Sequence, residues 1–201
     1  MKTAALPPAV TSLSELDPAG LYTFADYLRW QLEERVELIR GRLWKMSPAP
    51  GTRHQRMSFE LSFQLGLYFR GKSCQVFTAP FDVRLPAGSR KGDGATVVQP
   101  DLCVVCDPAK LDEHGCNGAP DLVVEILSPG NSSREMGEKF RVYEESGVRE
   151  YWMVNPAERA VMAYVLDERG VFTGRAPALE GDAFRSAVFP ELVIDLKEVF
   201  V

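Results

Sequence analysis

The chain predicts an α/β (α+β) fold, a central mixed β-sheet flanked by helices, with an added helix and hairpin at the N-terminal end. Three observations lead there. Segments 97–106 and 121–128 are almost unbroken runs of Val, Ile, Leu and Cys, the composition of strands covered on both faces. Two other segments place apolar residues at helical spacing. The second of these helices lies between two strands, which implies a parallel crossover, whereas the strands before it can pair as an antiparallel meander.

Each element has a local reason. Thr23 is placed to cap a helix that starts at Phe24 and ends near Glu33, with Asp26 in its first turn. Residues 36–46 read as two short strands around a turn at Gly41. Pro48, Pro50 and Gly51 then break the chain. Thr52 and Gln55 have capping-box spacing, and Met57, Leu61, Leu65 and Tyr68 follow on one helical face up to a stop at Gly71. Residues 74–85 are rich in β-formers and predict one strand, with a bulge or an edge position imposed by Pro80. A polar loop covers 86–95. The strands over 97–106 and 121–128 come next. Ser132 and Glu135 form a further capping box, and Met136, Phe140 and Tyr143 an apolar stripe that ends at Gly147. Strands over 150–155 and 160–166 flank a turn at 156–159, and 171–201 reads as short strands with a closing turn. No internal repeat occurs.

A length of 201 residues suits a single domain over 21–201 behind a flexible tail at 1–20. With 45% hydrophobic and 25% charged residues, the composition excludes collagen-like, low-complexity and wholly disordered classes. No apolar stretch approaches the roughly 18 residues of a membrane span. Pro7 and Pro8 interrupt the short apolar run near the start, so the expected compartment is the cytoplasm, with no membrane partner. The formal net charge of -5 argues against gripping phosphates, yet residues 35–91 hold 11 Lys and Arg against 3 Asp and Glu, and the rest 12 against 25. Those basic residues share a surface only where their elements are neighbours.

Cys103 and Cys106 have the C-x2-C spacing of a zinc site, with His114 and Cys116 close behind. On a strand, however, residues three apart point to opposite faces, so buried thiols are the simpler reading. A bond from Cys116 to Cys103 or Cys106 is a further option, disfavoured in a reducing compartment.

Two acidic residues interrupt the apolar strands, Asp101 after Pro100 and Glu125 within Val123–Val124–Glu125–Ile126–Leu127. An ionised carboxylate in such a place is strongly penalised without a partner. One explanation is a shared divalent cation, since oxygens converging from adjacent strands suit Mg²⁺ or Mn²⁺. The other is that each pairs with an arginine. Asp121 also follows a proline, but it opens the same strand as Glu125 and lies roughly 13 Å from it, too far for one ion.

The blocks Glu37–Leu43, Met46–Ser47–Pro48, His54, Pro100–Asp101, Pro120–Pro129, Lys139, Tyr143 and Gly147–Trp152 resemble the signature blocks of the Uma family of endonucleases. The resemblance covers about Thr23 to Pro156, with an echo at Phe189–Leu192. It implies a restriction-endonuclease-like core of the PD-(D/E)XK superfamily, a Mg²⁺ (or Mn²⁺) cofactor, and hydrolysis of nucleic-acid phosphodiester bonds. Asp101 matches the motif aspartate and Glu125 the second acid. Two residues later, where the motif has lysine, stands Leu127, and the lysine matching the family pattern is Lys139 in the following helix.

Glu37 matches the acid of the first block, either completing the metal shell or remaining an exposed strand residue paired with Arg42. His54, in the first turn of its helix, is placed to touch a phosphate, with Arg53 and Arg42 as further nucleic-acid contacts. The implied partner is nucleic acid, DNA before RNA, and a homodimer is a further expectation because enzymes that cut both strands often pair. A degenerate nuclease fold that only binds nucleic acid or protein is the alternative, and a small-molecule hydrolase using the same acids a third.

Overall fold

The computed structural model describes residues 9–46, 49–86, 95–128 and 133–201, excepting the side chain of Arg134. Val10 pairs with Trp30, and Ser12 caps a short 3-10 turn at Leu13–Glu15. Helix α1, Phe24–Tyr27, has the Thr23 cap, with Asp26 returning the bond to the Thr23 N–H. It is much shorter than the helix predicted to Glu33. The chain leaves the helix because Trp30 joins the Val10 bridge and packs edge-on against Tyr22, contacts that a continued helix would forfeit.

Strands β1 (Val36–Ile39) and β2 (Arg42–Lys45) form the expected hairpin. Its two-residue turn places Arg40 at φ 53° and Gly41 at φ 74°, the left-handed pair that matches strand twist. Helix α2, Thr52–Phe69, buries Met57, Leu61, Leu65 and Phe69. The Thr52–Gln55 capping box does not form: Thr52 is already the first helical residue, Gly51 takes the cap position, and no side chain caps it. Gly71, at φ 76°, follows the helix as predicted.

The single strand predicted over 74–85 is two strands, β3 (Gln75–Thr78) and β4 (Val83–Leu85), separated by the cis Ala79–Pro80 bond and belonging to different sheets. The run 97–106 divides in the same way into β5 (Thr96–Val98) and β6 (Leu102–Val105). Pro100, without an N–H to donate, stands at the break, and Asp101 therefore sits on the bend that enters β6. Short strands β7 (Leu111–Asp112) and β8 (Gly115–Asn117) precede β9 (Leu122–Ile126). Helix α3 spans Ser133–Ser146, and its predicted cap Ser132 lies outside the described residues.

Strands β10 (Glu150–Asn155) and β11 (Ala160–Leu166) have the predicted bounds. Beyond them lie β12 (Phe172–Gly174), β13 (Ala178–Leu179), β14 (Ala183–Arg185) and β15 (Val193–Asp195). The closing turn is a short helix, α4 (Leu196–Val199), capped by Asp195.

The central mixed sheet runs β12-β11-β10-β9-β6-β3, with β13 beside β11. Within it β9 and β10, joined through α3, are parallel, while β3, β6 and β9 pair antiparallel. A second sheet runs β2-β1-β5-β4-β8-β7. One face of the central sheet packs Leu102, Val124 and Trp152 against Met57, Leu61 and Leu65 of α2. Gln64 exchanges two hydrogen bonds with the Asp195 backbone and so ties α2 to the C-terminal segment. The other face packs Cys103, Val123 and Tyr151 against Tyr143 of α3 and against Ile39, Val83 and Val98 of the second sheet. Cover on both faces is why these strands are apolar throughout.

The cysteines correct one expectation. Cys74 and Cys106, at facing ends of β3 and β6, form a disulfide, while Cys103 and Cys116 are free and buried. Neither option involving Cys116 is realised, and among the described residues no group of metal-ligating side chains surrounds the C-x2-C pair. Among the described residues no helix is long and apolar enough to cross a membrane.

Candidate active site

The site forms where the β6 and β9 ends meet α3 and β1. Leu102 pairs with Val124, so the antiparallel register brings Asp101, one step earlier, opposite Glu125, one step later. Asp101 Oδ2 accepts the Ile126 backbone N–H at 2.7 Å and meets His54 Nε2 at 3.3 Å. Among the described residues neither strand acid pairs with an arginine. That role falls to Asp121, which holds Arg149 at 3.0 Å and the Cys106 N–H at 2.8 Å.

Glu125 faces α3 because alternation along β9 turns Val123 and Glu125 away from α2. Its Oε1 accepts from Lys139 Nζ at 3.0 Å and from the Tyr143 hydroxyl at 2.7 Å. Lys139 and Tyr143 are four residues apart on α3 and therefore share a face. The same ammonium lies 2.9 Å from Glu37 Oε1, an atom that also accepts the Gln99 N–H at 2.8 Å. Glu37 is only 1% exposed and stands across from Trp44, so the exposed pair with Arg42 does not exist. Lys139 thus bridges β1 of one sheet and β9 of the other.

Burial pushes the Glu125 carboxyl up to about 7; the Lys139 charge opposes this, and the nearby Asp101 and Glu37 add to it. For Lys139, burial disfavours the charge, but the Glu125 and Glu37 carboxylates together outweigh it and hold the ammonium above the usual lysine range. The hydrogen bond to Asp101 raises His54. Burial raises the Tyr143 phenol well above its ordinary value, so it remains a donor.

Each of the three acids thus commits one oxygen to protein donors: Oδ2 of Asp101, Oε1 of Glu125 and Oε1 of Glu37. Among the described residues the second oxygen of each has no such bond. A small depression beside Glu125 is lined by Ile126, Leu127, Glu135, Met136, Lys139 and Tyr151. Leu127, in the motif-lysine position, contributes only apolar wall. Among the described residues no group of three or more ligating side chains stands in metal-holding geometry. Two carboxylates with waters are nevertheless a donor set that Mg²⁺ accepts, because it dehydrates reluctantly and takes few protein ligands.

The expected nucleic-acid contacts are dispersed. His54 is in the first turn of α2 as predicted and is turned toward Asp101. Arg53 donates to the Pro156 carbonyl, and Arg42 is exposed on β2. Elsewhere in the basic third, Arg40 pairs with Glu145, Lys45 with Glu34 and Arg84 with Asp112. Part of the charge asymmetry along the chain is therefore cancelled in space. Sequence reasoning assigned no site role to Tyr143, although its spacing from Lys139 was a usable signal. It had no signal for the backbone donors of Gln99 and Ile126.

A mixed sheet flanked by helices, with paired acids at one strand end, defines a restriction-endonuclease-like fold. A solved structure from Anabaena variabilis ATCC 29413, described as "a putative nuclease belonging to DUF820", superposes with a TM-score of 0.67 at 21% identity, covering 89% of this chain and 97% of that one. The Uma2 family model, described as "Putative restriction endonuclease", matches residues 24–197, and the chain belongs to that family within the PD-(D/E)XK superfamily. An uncharacterized protein of Synechocystis sp. (strain ATCC 27184 / PCC 6803 / Kazusa), slr1290, is 24% identical over 148 residues, 72% of this chain and 74% of that protein.

Proposed function

We propose that the protein is a metal-dependent nuclease that hydrolyses phosphodiester bonds, with DNA the first polymer to test. The observation that carries this reading is the register that brings Asp101 opposite Glu125, each with one oxygen uncommitted. Three acids gather around a single lysine and one histidine, a local excess of negative charge that favours a cation. Asp101 and Glu125 would hold Mg²⁺, with the Ile126 carbonyl and water completing the shell. When bound, the ion supplies Lewis-acid polarisation of the scissile phosphate and a lowered pKa for a bound water. Lys139 has three N–H donors and spends two on Glu37 and Glu125, which leaves one for a phosphate oxygen or the attacking water.

The test is Mn²⁺ titration alongside a cleavage assay on single- and double-stranded DNA. Asp101→Asn and Glu125→Gln should each lose Mn²⁺ affinity and cleavage while the circular dichroism spectrum is retained. Mn²⁺-dependent cleavage persisting in both variants would refute the assignment. Leu127 favours a second reading, a degenerate nuclease fold that binds nucleic acid or a protein partner. Such a module would show no carboxylate-dependent Mn²⁺ affinity.

A further inference from the structure

Lys139 and Tyr143 close on the same atom, Glu125 Oε1, from one face of α3. The lysine has a second obligation to Glu37, so its position is a compromise between two sheets. The phenol has no second acceptor among the described residues. Tyr143 is fully buried, and its ring packs against Tyr151 with centroids 5.2 Å apart, so the hydroxyl is aimed by the core rather than by solvent. A buried hydroxyl needs an acceptor, and any uncharged acceptor would meet that need. Here the acceptor is the acid placed opposite Asp101.

We propose that Tyr143 is a positioning residue for the divalent cation: its hydroxyl pins Glu125 Oε1 and so presents Oε2 toward Asp101. The inference rests on the metal reading above and adds to it a residue that never touches the ion. Partners that orient a ligating carboxylate typically change metal affinity by about 10- to 100-fold when removed. Lys139 alone cannot supply the orientation, because an ammonium is a rotatable point charge shared with Glu37.

The experiment is Mn²⁺ titration of the full chain, by calorimetry and by electron paramagnetic resonance of the free ion, comparing wild type with Tyr143→Phe. That change removes one oxygen and leaves the ring packing. The expected result is a loss of about tenfold in Mn²⁺ affinity with the stoichiometry unchanged. A folded Tyr143→Phe protein that binds Mn²⁺ like wild type overturns the role of Tyr143 and leaves the metal reading standing. A wild type that binds no Mn²⁺ overturns both. Should Tyr143→Phe not fold, Tyr151→Phe protein labelled with ¹³Cζ-tyrosine is titrated with Mg²⁺. A tyrosine resonance that follows the binding isotherm supports the proposal, and tyrosine resonances that all stay in place overturn it.

Discussion

The Asp101 carboxylate accepts the backbone N–H of Ile126 at 2.7 Å, so one acid of the site is bonded to the residue that follows the other. This bond continues the β6–β9 pairing past its last regular pair and holds the two acids in step. It also makes Asp101 a structural group before any cation arrives.

Lys139→Met should destabilise the protein strongly. The Lys139 side chain is 9% exposed and its ammonium neutralises two acids, so its loss leaves buried carboxylates uncompensated, at a cost of about 3–5 kcal/mol. Adding Glu37→Gln and Glu125→Gln should recover part of that loss, because the uncompensated charges go too. Urea unfolding of the single and triple variants checks this. A triple variant no more stable than Lys139→Met would show that the lysine acts through packing instead.

Mn²⁺ affinity should rise with pH up to about 7 and then level off. The Glu125 carboxyl is raised to about 7, so below that value a cation must displace a proton from it. Calorimetric titrations at several pH values give the profile. A flat profile across this range would exclude Glu125 as a ligand.

His54 should stabilise the fold in acid. Its folded value is raised by the Asp101 hydrogen bond above the ordinary 6.5, so the folded state binds its proton more tightly than the unfolded chain does. The contribution is fully present below about 6.5 and is lost as pH rises through the folded value. The gap in Tm between wild type and His54→Gln should therefore be largest in mild acid and shrink toward alkaline pH. A gap that widens as pH rises would reverse the assignment.

Glu150→Ala should loosen the C-terminal segment. The Glu150 carboxylate is fully buried and accepts from the Ser186 hydroxyl at 2.5 Å and from the N–H groups of Ala187 and Val188 at 3.0 and 3.1 Å. Removing it orphans those donors, each worth about 1–3 kcal/mol when left unmet. Hydrogen exchange should accelerate at residues 186–188 before it does in β9 or β10. Unchanged protection there would mean that the apolar contacts of Phe184 and Leu192 hold the segment without it.

How far the sequence reaches depends on what each feature draws on. The buried face of α2 was legible because burial on one side leaves a period of 3.6 in the chain itself, and the bounds of β10 and β11 because two apolar runs flank the turn at 156–159. The acids Asp101 and Glu125 were legible because charge inside an apolar run demands a reason. The division of 97–106 between two sheets was not, since both halves are equally apolar and only Pro100 marks the break. The short α1 and the start of α2 without a side-chain cap were not legible for a related reason. Capping spacing shows where a helix can begin, whereas contacts with distant segments decide where it does.

By itself, then, the chain determined its secondary-structure classes, its mixed sheet and the acids around which a site could be built. Only tertiary structure decided that Asp101 would stand opposite Glu125, that Glu37 would be buried, and that Lys139 would join them across two sheets. The physical reason is the range of the interactions. Helical and strand periods are written within a few residues, but register and ion pairing between segments tens of residues apart emerge only when all the apolar faces find cover together.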